Sequence, residues 1–351
     1  MPAQPAPHTP SVRLRRGVLA AGLALSAAAG LSAAGLPAAT AAPVPTITLS
    51  PRSAPASEPI AQPYLVGRTV HDGDVTAVAP ARALQLLGEV GDSYAVRVSV
   101  DGKERVAKVR PGRAAIYLTG SLSRDDDVTL GRDGSRLTIS TYRSVETGTR
   151  TTLTVLDTGG SDGRASELGR RTFDGYAQPL DASGDRAIVA SSTRRHAATL
   201  EWRPAADTVR QLVGRYGYVA DLAANRLGVY EDVRTDAPCS RISTLSLASR
   251  VLSRSCTWQA SSFSPDGSLM AQIPVLSDGP GPLETRVATI AGTPLADYRA
   301  SKQTVSIGVV RWLEGRRVLL RVASESSAAY VACVRADCGR VSPIFSADQG
   351  S

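Results

Sequence analysis

From Pro63 onward the chain alternates short apolar runs of four to eight residues with polar punctuation by Gly, Asp, Ser and Arg. Val, Ile, Leu, Thr and Tyr fill the runs, and no longer stretch carries a helical period. Regularly spaced short strands with turn residues between them predict an all-β chain: a sandwich, a barrel or a propeller. Internal repetition separates these. One unit recurs, an apolar strand end, a polar turn with Gly or Asn, then a strongly apolar strand. Its turns fall at Gly91, Gly134, Gly184, Asn225, Gly267 and Gly315, with spacings of 43, 50, 41, 42 and 48 residues. A period near 45 is that of one four-stranded propeller blade. Two further strands fit between turns, at 149–156 and 165–170 in the second copy and at 328–334 and 339–344 in the sixth.

A lone four-stranded blade exposes both faces and cannot bury enough apolar area. Blades stacked around an axis share cores and leave only short edges. The expectation is therefore an all-β propeller over 63–351, with six blades favoured. An extra hairpin, Tyr64 to Val70 and Val75 to Val78, turns at His71-Asp72-Gly73-Asp74. It either donates a strand that closes the ring or forms a seventh blade.

The fifth copy, Phe263-Ser264-Pro265-Asp266-Gly267-Ser268-Leu269, resembles the strand–turn–strand signature of TolB-type propeller repeats. Asp133-Gly134-Ser135-Arg136-Leu137 keeps the turn in outline, while Ala223-Ala224-Asn225 replaces it. The likeness to WD40 repeats is more distant, since the chain has no Gly-His or Trp-Asp dipeptide. The resemblance spans 84–344 as architecture. It implies a protein- or ligand-binding scaffold of an exported bacterial type and carries over no catalytic residue.

The N-terminus adds an address. Arg13, Arg15 and Arg16 precede a small, apolar run from Gly17 to Leu36, followed by Ala39-Thr40-Ala41. A basic end, an apolar middle and an Ala-x-Ala exit describe a secretory signal over 1–41. Residues 42–62, rich in Pro, Ser, Ala and Thr, read as a flexible linker. The product is expected outside the cytoplasm, membrane-held only if the signal stays uncleaved, and monomeric. Without the signal, 37 basic residues face 32 acidic ones, a net of +5, and the basic residues scatter. Export removes nucleic acid as the usual partner, and anionic wall polymers are the natural counter-charge.

The four cysteines, Cys239, Cys256, Cys333 and Cys338, allow three pairings. Each sequential pair flanks a hairpin or a tight loop, and facing hairpin positions lie near disulfide distance. The local pairing, Cys239–Cys256 and Cys333–Cys338, is expected, and an even count suits an exported chain. No Cys-x-x-Cys pair is present, and His71 and His196 are the only histidines beyond the signal, so neither a metal nor another cofactor is implied.

Candidate chemistry is sparse. Gly159-Gly160-Ser161-Asp162-Gly163 has the letters of a hydrolase nucleophile elbow but lies between short strands with no helix after it, so it reads as a plain turn. Asp125, Asp126 and Asp127 offer carboxylates to Ca²⁺ or another ligand, or simply a solvated loop. Arg194, Arg195 and His196 form the densest basic spot, an anion contact on the rim or a charged hairpin tip. Trp202, Trp258 and Trp312 read as core packing. The function expected is a non-enzymatic extracytoplasmic binding scaffold that contacts an envelope protein or a wall polymer. The alternative is a propeller enzyme, a glycan lyase or hydrolase, with a channel-facing polar site. Intact-mass analysis of the exported protein should show two disulfides, with four hydrogens gained on reduction; a free thiol before reduction contradicts the pairing.

Overall fold

The structure is a computed structural model and describes residues 43–58 and 63–347, apart from 124, 147, 160–162, 194, 233–237, 276 and 278–280. The signal segment, Arg194 and Ser161 lie outside the described residues. The described chain forms seven antiparallel sheets in sequence order. Blade one is Tyr64–Val66, Thr69–Asp72 and Val75–Val78. Blade two is Arg82–Val90, Ser93–Val100, Lys103–Val109 and Ile116–Tyr117. Blade three is Asp126–Leu130, Arg136–Val145, Gly148–Asp157 and Ser166–Asp174, and blade four is Tyr176–Ser183, Arg186–Ser192, Ala197–Arg203 and Thr208–Val213. Blade five is Gly217–Asp221, Arg226–Tyr230, Ser240–Ser243 and Val251–Ser255. Blade six is Trp258–Phe263, Leu269–Pro274, Glu284–Thr289 and Pro294–Ala300, and blade seven is Ser306–Leu313, Arg317–Ala323, Ser327–Val334 and Asp337–Arg340, with Phe345–Ser346 beside its third strand.

The fold is thus a seven-bladed propeller, and the favoured count of six is corrected. Residues 64–78 donate no strand to the last blade. Thr69–Asp72 pairs with both of its chain neighbours to make a small sheet of three strands. Its first turn is Gly67, at φ 60°, only 24 residues before Gly91, so the short blade falls outside the 45-residue period. The other six anchors all adopt the left-handed conformation expected of them, with φ between 55° and 70°. Gly134 is also sterically fixed, because a Cβ there would stand 2.0 Å from the carbonyl oxygen of Glu89 in the preceding blade.

The buried apolar residues divide into seven clusters, one at each junction of neighbouring blades. Leu65, Val70 and Ala77 of blade one meet Tyr94, Val96 and Ala107 of blade two. Val90, Ala95 and Val106 meet Leu137 at the next junction. Trp202 and Val189 of blade four pack on Leu153 and Phe173 of blade three, and Ile188 packs on Leu227 and Val229 of blade five. Ile242 meets Phe263 and Met270, and Tyr298 and Ala271 meet Leu320 and Val331. Tyr64 of blade one packs on Leu313, Leu319 and Tyr330 of blade seven, which closes the ring. Trp202 and Trp312 serve this core as expected, although Trp312 stands at the exit of its inner strand. Trp258 is half-buried and carries the Arg286 guanidinium 4.3 Å from its ring centroid.

Both disulfides form as paired by position, Cys239–Cys256 and Cys333–Cys338. Cys333 and Cys338 are direct register partners across the last hairpin of blade seven.

The stretch 43–58, read above as part of a flexible linker, runs along the outside of the ring. Thr46–Leu49 adds a parallel fifth strand to blade six, opposite Asp297–Ala300. Further on, Ser57 donates its amide to Arg340 O at 2.9 Å, and Arg340 donates to Pro55 O at 2.7 Å, at the edge of blade seven. Leu49 is 1 % exposed inside the cluster shared by blades six and seven. The alternation Thr-Ile-Thr-Leu carries the strand signal that the surrounding Pro and Ser obscure. Leu49→Ala should cost about 2–4 kcal/mol in denaturant unfolding, whereas a tether would leave stability unchanged.

Candidate functional site

The first strand of every blade is innermost, so all inner strands run the same way through the ring. Their last residues, with the turns that follow, enclose a vestibule of about 730 Å³ at one mouth of the central channel. Six blades contribute walls to it: blades one, two, three, five, six and seven. Its charged and amide side chains are Gln85, Glu89, Arg132, Asp133, Asp221, Arg311 and Arg321. These residues stand beside the turn anchors. Glu89 and Arg132 precede theirs by two residues, and Asp221 and Arg311 by four.

Two carboxylates brace one side of this mouth. Asp181, at the end of the inner strand of blade four, is 3 % exposed, and Asp221, its counterpart in blade five, is 1 % exposed. Asp181 Oδ2 accepts the Leu222 amide of blade five at 2.7 Å. Its Oδ1 accepts the amides of Ala182 at 2.9 Å and of Arg132, from blade three, at 3.4 Å. Asp221 Oδ1 accepts the Ala224 amide at 2.8 Å, and its Oδ2 takes a hydrogen bond from Arg132 Nη1. The same guanidinium nitrogen reaches the carbonyl of Phe263 in blade six at 3.0 Å. Four blades are therefore tied through three side chains. Burial pushes the Asp181 carboxyl above the usual carboxylate range, the Asp221 charge adds to the rise, and the amides and Arg132 oppose it.

The other side is built on Arg311 of blade seven. Its guanidinium donates to Pro63 O at 3.1 Å and lies 3.8 Å from the Glu89 carboxylate of blade two. Burial lowers its pKa, and the nearby Glu89 and Asp72 charges act the other way. Asp72 accepts the Tyr94 hydroxyl at 2.8 Å. Tyr64 and Tyr330 lie 5.3 Å apart between rings and form an aromatic wall beside it. Val310, at a bulge of the inner strand, is 42 % exposed into the vestibule. The chemistry available here is hydrogen bonding and charge pairing by the guanidinium groups of Arg132, Arg311 and Arg321 and the accessible carboxylates of Glu89 and Asp133, over an apolar and aromatic wall.

Among the described residues, none of the sequence candidates lines this vestibule. The described members of the acidic run and of the basic spot stand at the far mouth, where the inner strands begin. Asp125 is exposed. Asp126 is buried and accepts the Ser123 amide at 2.8 Å. Asp127 accepts the Tyr142 hydroxyl at 3.1 Å. The three do not converge, and among the described residues no group of three or more acidic, histidine or cysteine side chains is placed to hold a metal ion. Arg195 and His196 are exposed on the hairpin between the second and third strands of blade four, where both amides donate to Thr193 Oγ1. Gly159 and Gly163 close a turn by a 2.8 Å amide–carbonyl bond. The buried Lys108 of blade two donates to Thr158 O at 2.9 Å and to Gly163 O at 3.0 Å, which pins that turn to the neighbouring blade. The vestibule residues went unread because they converge from separate blades. Their signal was a polar residue at the end of an otherwise apolar inner strand.

The geometry defines a seven-bladed propeller with a channel-mouth cavity. Solved structures similar to this chain include acylaminoacyl peptidase bound to Z-Gly-Gly-Phe-chloromethyl ketone, 10 % identical, with a TM-score of 0.53 over 83 % of this chain and 52 % of that one. Acylaminoacyl peptidase of Pyrococcus horikoshii is 11 % identical, with a TM-score of 0.52 over 82 % of this chain and 54 % of that one. TolB of Acinetobacter baumannii is 15 % identical, with a TM-score of 0.40 over 73 % of this chain and 64 % of that one. The chain therefore spans about half the length of the peptidases it resembles, and these likenesses are of fold alone. No family model and no curated protein matches the sequence.

Asp181→Ala strips three backbone amides of their acceptor and should cost about 2–4 kcal/mol. The raised pKa also fixes a sign. The folded chain holds the Asp181 proton to a higher pH than the unfolded chain does, so ionisation costs stability. Wild type should therefore lose stability relative to Asp181→Asn as pH rises from about 3.9 to the folded-state pKa. Unfolding curves across that range check it; an unchanged difference contradicts the burial argument.

Proposed function

We propose that this protein is a non-enzymatic binding propeller that acts outside the cytoplasmic membrane, and that an envelope protein or a wall polymer enters its vestibule. The observation that carries this reading is the vestibule itself. It is a preformed cavity of ligand size, walled by six blades, with Arg311 and Glu89 facing it and its rim fixed by the Asp181–Arg132–Asp221 brace. A rigid rim lowers the ordering cost of association. The location is supported by the N-terminal signal pattern and by two disulfides, which fit an extracytoplasmic environment. Among the described residues no helix is long and apolar enough to cross a membrane.

The second reading is a propeller that belongs to an enzyme, and the fold shared with acylaminoacyl peptidases favours it. The raised Asp181 carboxyl beside a second buried carboxylate, Asp221, meets one condition for acid–base work. Against that, each of their four oxygens already accepts a donor within the ring.

Val310→Trp projects a bulky ring into the vestibule and removes no hydrogen bond, so it should leave stability within about 0.5 kcal/mol. Cross-linking to envelope extract over a salt series should capture one recurring partner with wild type and lose it with Val310→Trp. Equal capture by both proteins, or substrate turnover by the purified wild type, overturns the reading.

A further inference from the structure

Five of the ten tyrosines stand at the far mouth, on three consecutive blades: Tyr142, Tyr176, Tyr216, Tyr218 and Tyr230. Tyr218 packs on the cluster shared by blades five and six, whereas the other four belong to no core cluster. Tyr298, by contrast, is fully buried, whereas Tyr176 is 39 % exposed. The Tyr142 and Tyr176 rings stack across the junction of blades three and four, 5.0 Å apart and nearly parallel. Tyr218 and Tyr230 lie 4.6 Å apart in blade five.

Their hydroxyls are oriented by planar acceptors. Tyr142 donates to Asp127, Tyr216 to Gln178 Oε1 at 3.4 Å, and Tyr230 to Gln259 Oε1 at 2.6 Å. Burial pushes the Tyr216 phenol up to about 12, and Tyr142 and Tyr230 also move up, so all three stay protonated near neutrality. Beside this arc opens a pocket of about 220 Å³. The rings of Tyr216 and Tyr230, the hairpin tip with Arg195 and His196, and Arg215 and Glu231 line it. Arg195, His196 and one member of the acidic run thus reach the same mouth from distant parts of the sequence.

The mixture selects a ligand class. Aromatic rings with polar tips accept a surface that is apolar on its faces and hydroxylated at its rim. Carboxylate, imidazole and guanidinium groups supply donors and acceptors within the pocket, and the Gln178 and Gln259 amides stand behind its two tyrosines. A phosphate would meet Glu231 and Asp232 in the pocket, and an apolar helix would bury these carboxylates and Arg195 away from water. We propose that the far mouth is a carbohydrate site for neutral or N-acetylated oligosaccharide chains, with one ring in the Tyr216–Tyr230 pocket and the chain continuing over Tyr176 and Tyr142. This assignment is independent of the vestibule.

The test is calorimetric titration of the oxidised mature protein with chitotetraose and with cellotetraose. Saturable binding of either is expected, weakened about tenfold by Tyr176→Ala and by His196→Ala, as loss of a stacking or hydrogen-bonding group predicts. His196 is exposed, so His196→Ala keeps the test open if Tyr176→Ala fails to fold. Val310→Trp should bind the sugar as wild type does, even where it loses the vestibule partner. The proposal is overturned if neither oligosaccharide binds, if binding survives both far-mouth substitutions, or if Val310→Trp abolishes it.

Discussion

Burial between consecutive blades is the constraint on which the structure rests. Each sheet is apolar on both faces and has no core of its own, so it gains stability only when both faces are covered. Seven apolar clusters at seven junctions meet that requirement, and the last exists because Tyr64 packs on Leu319 and Tyr330. A ring short of one blade would leave two faces in water. The small first blade is thus as necessary as the longer ones, although it has only three strands.

A closed ring also fixes what can happen at its ends. Inner strands that all run the same way deliver their C-terminal residues to one mouth and their N-terminal residues to the other. At the first mouth the backbone amides of the turns point at one another's blades, and buried carboxylates satisfy them. Asp181 and Asp221 meet that need, and Arg132 neutralises one of them while bridging to Phe263. The rim that results is stiff, and Arg311 and Glu89 face the vestibule across from it. The far mouth is built differently, from tyrosines whose phenols are held by glutamines and an aspartate. The two ends therefore offer different chemistry on one scaffold, as expected where loops and strand ends carry the contacts.

The outer strap shows how weakly composition alone constrains an edge. Proline and serine in 43–58 suggest a tether, yet Leu49 supplies enough apolar area to lay Thr46–Leu49 along the open edge of blade six. Gly339 admits this close passage, since a Cβ there would stand 2.5 Å from the Ser57 Cβ. The strap continues to blade seven and spans the junction between the two blades.

Local chemistry was legible in the sequence, because it acts over a few residues. The left-handed turns at Gly91, Gly134, Gly184, Asn225, Gly267 and Gly315, the strands between them and both hairpin disulfides each depend on neighbours in the chain. From these the all-β propeller followed. The seventh blade stayed one of two readings of the 64–78 hairpin because Gly67 lies outside the period, and the strap escaped because its pairing partner is some 250 residues away. The Arg132–Asp221 contact joins positions 89 residues apart, and Arg311 meets Pro63 across 248. Such convergence is set by how many blades close the ring and at what register. No local pattern encodes that; only the tertiary structure brings the vestibule and the tyrosine arc together.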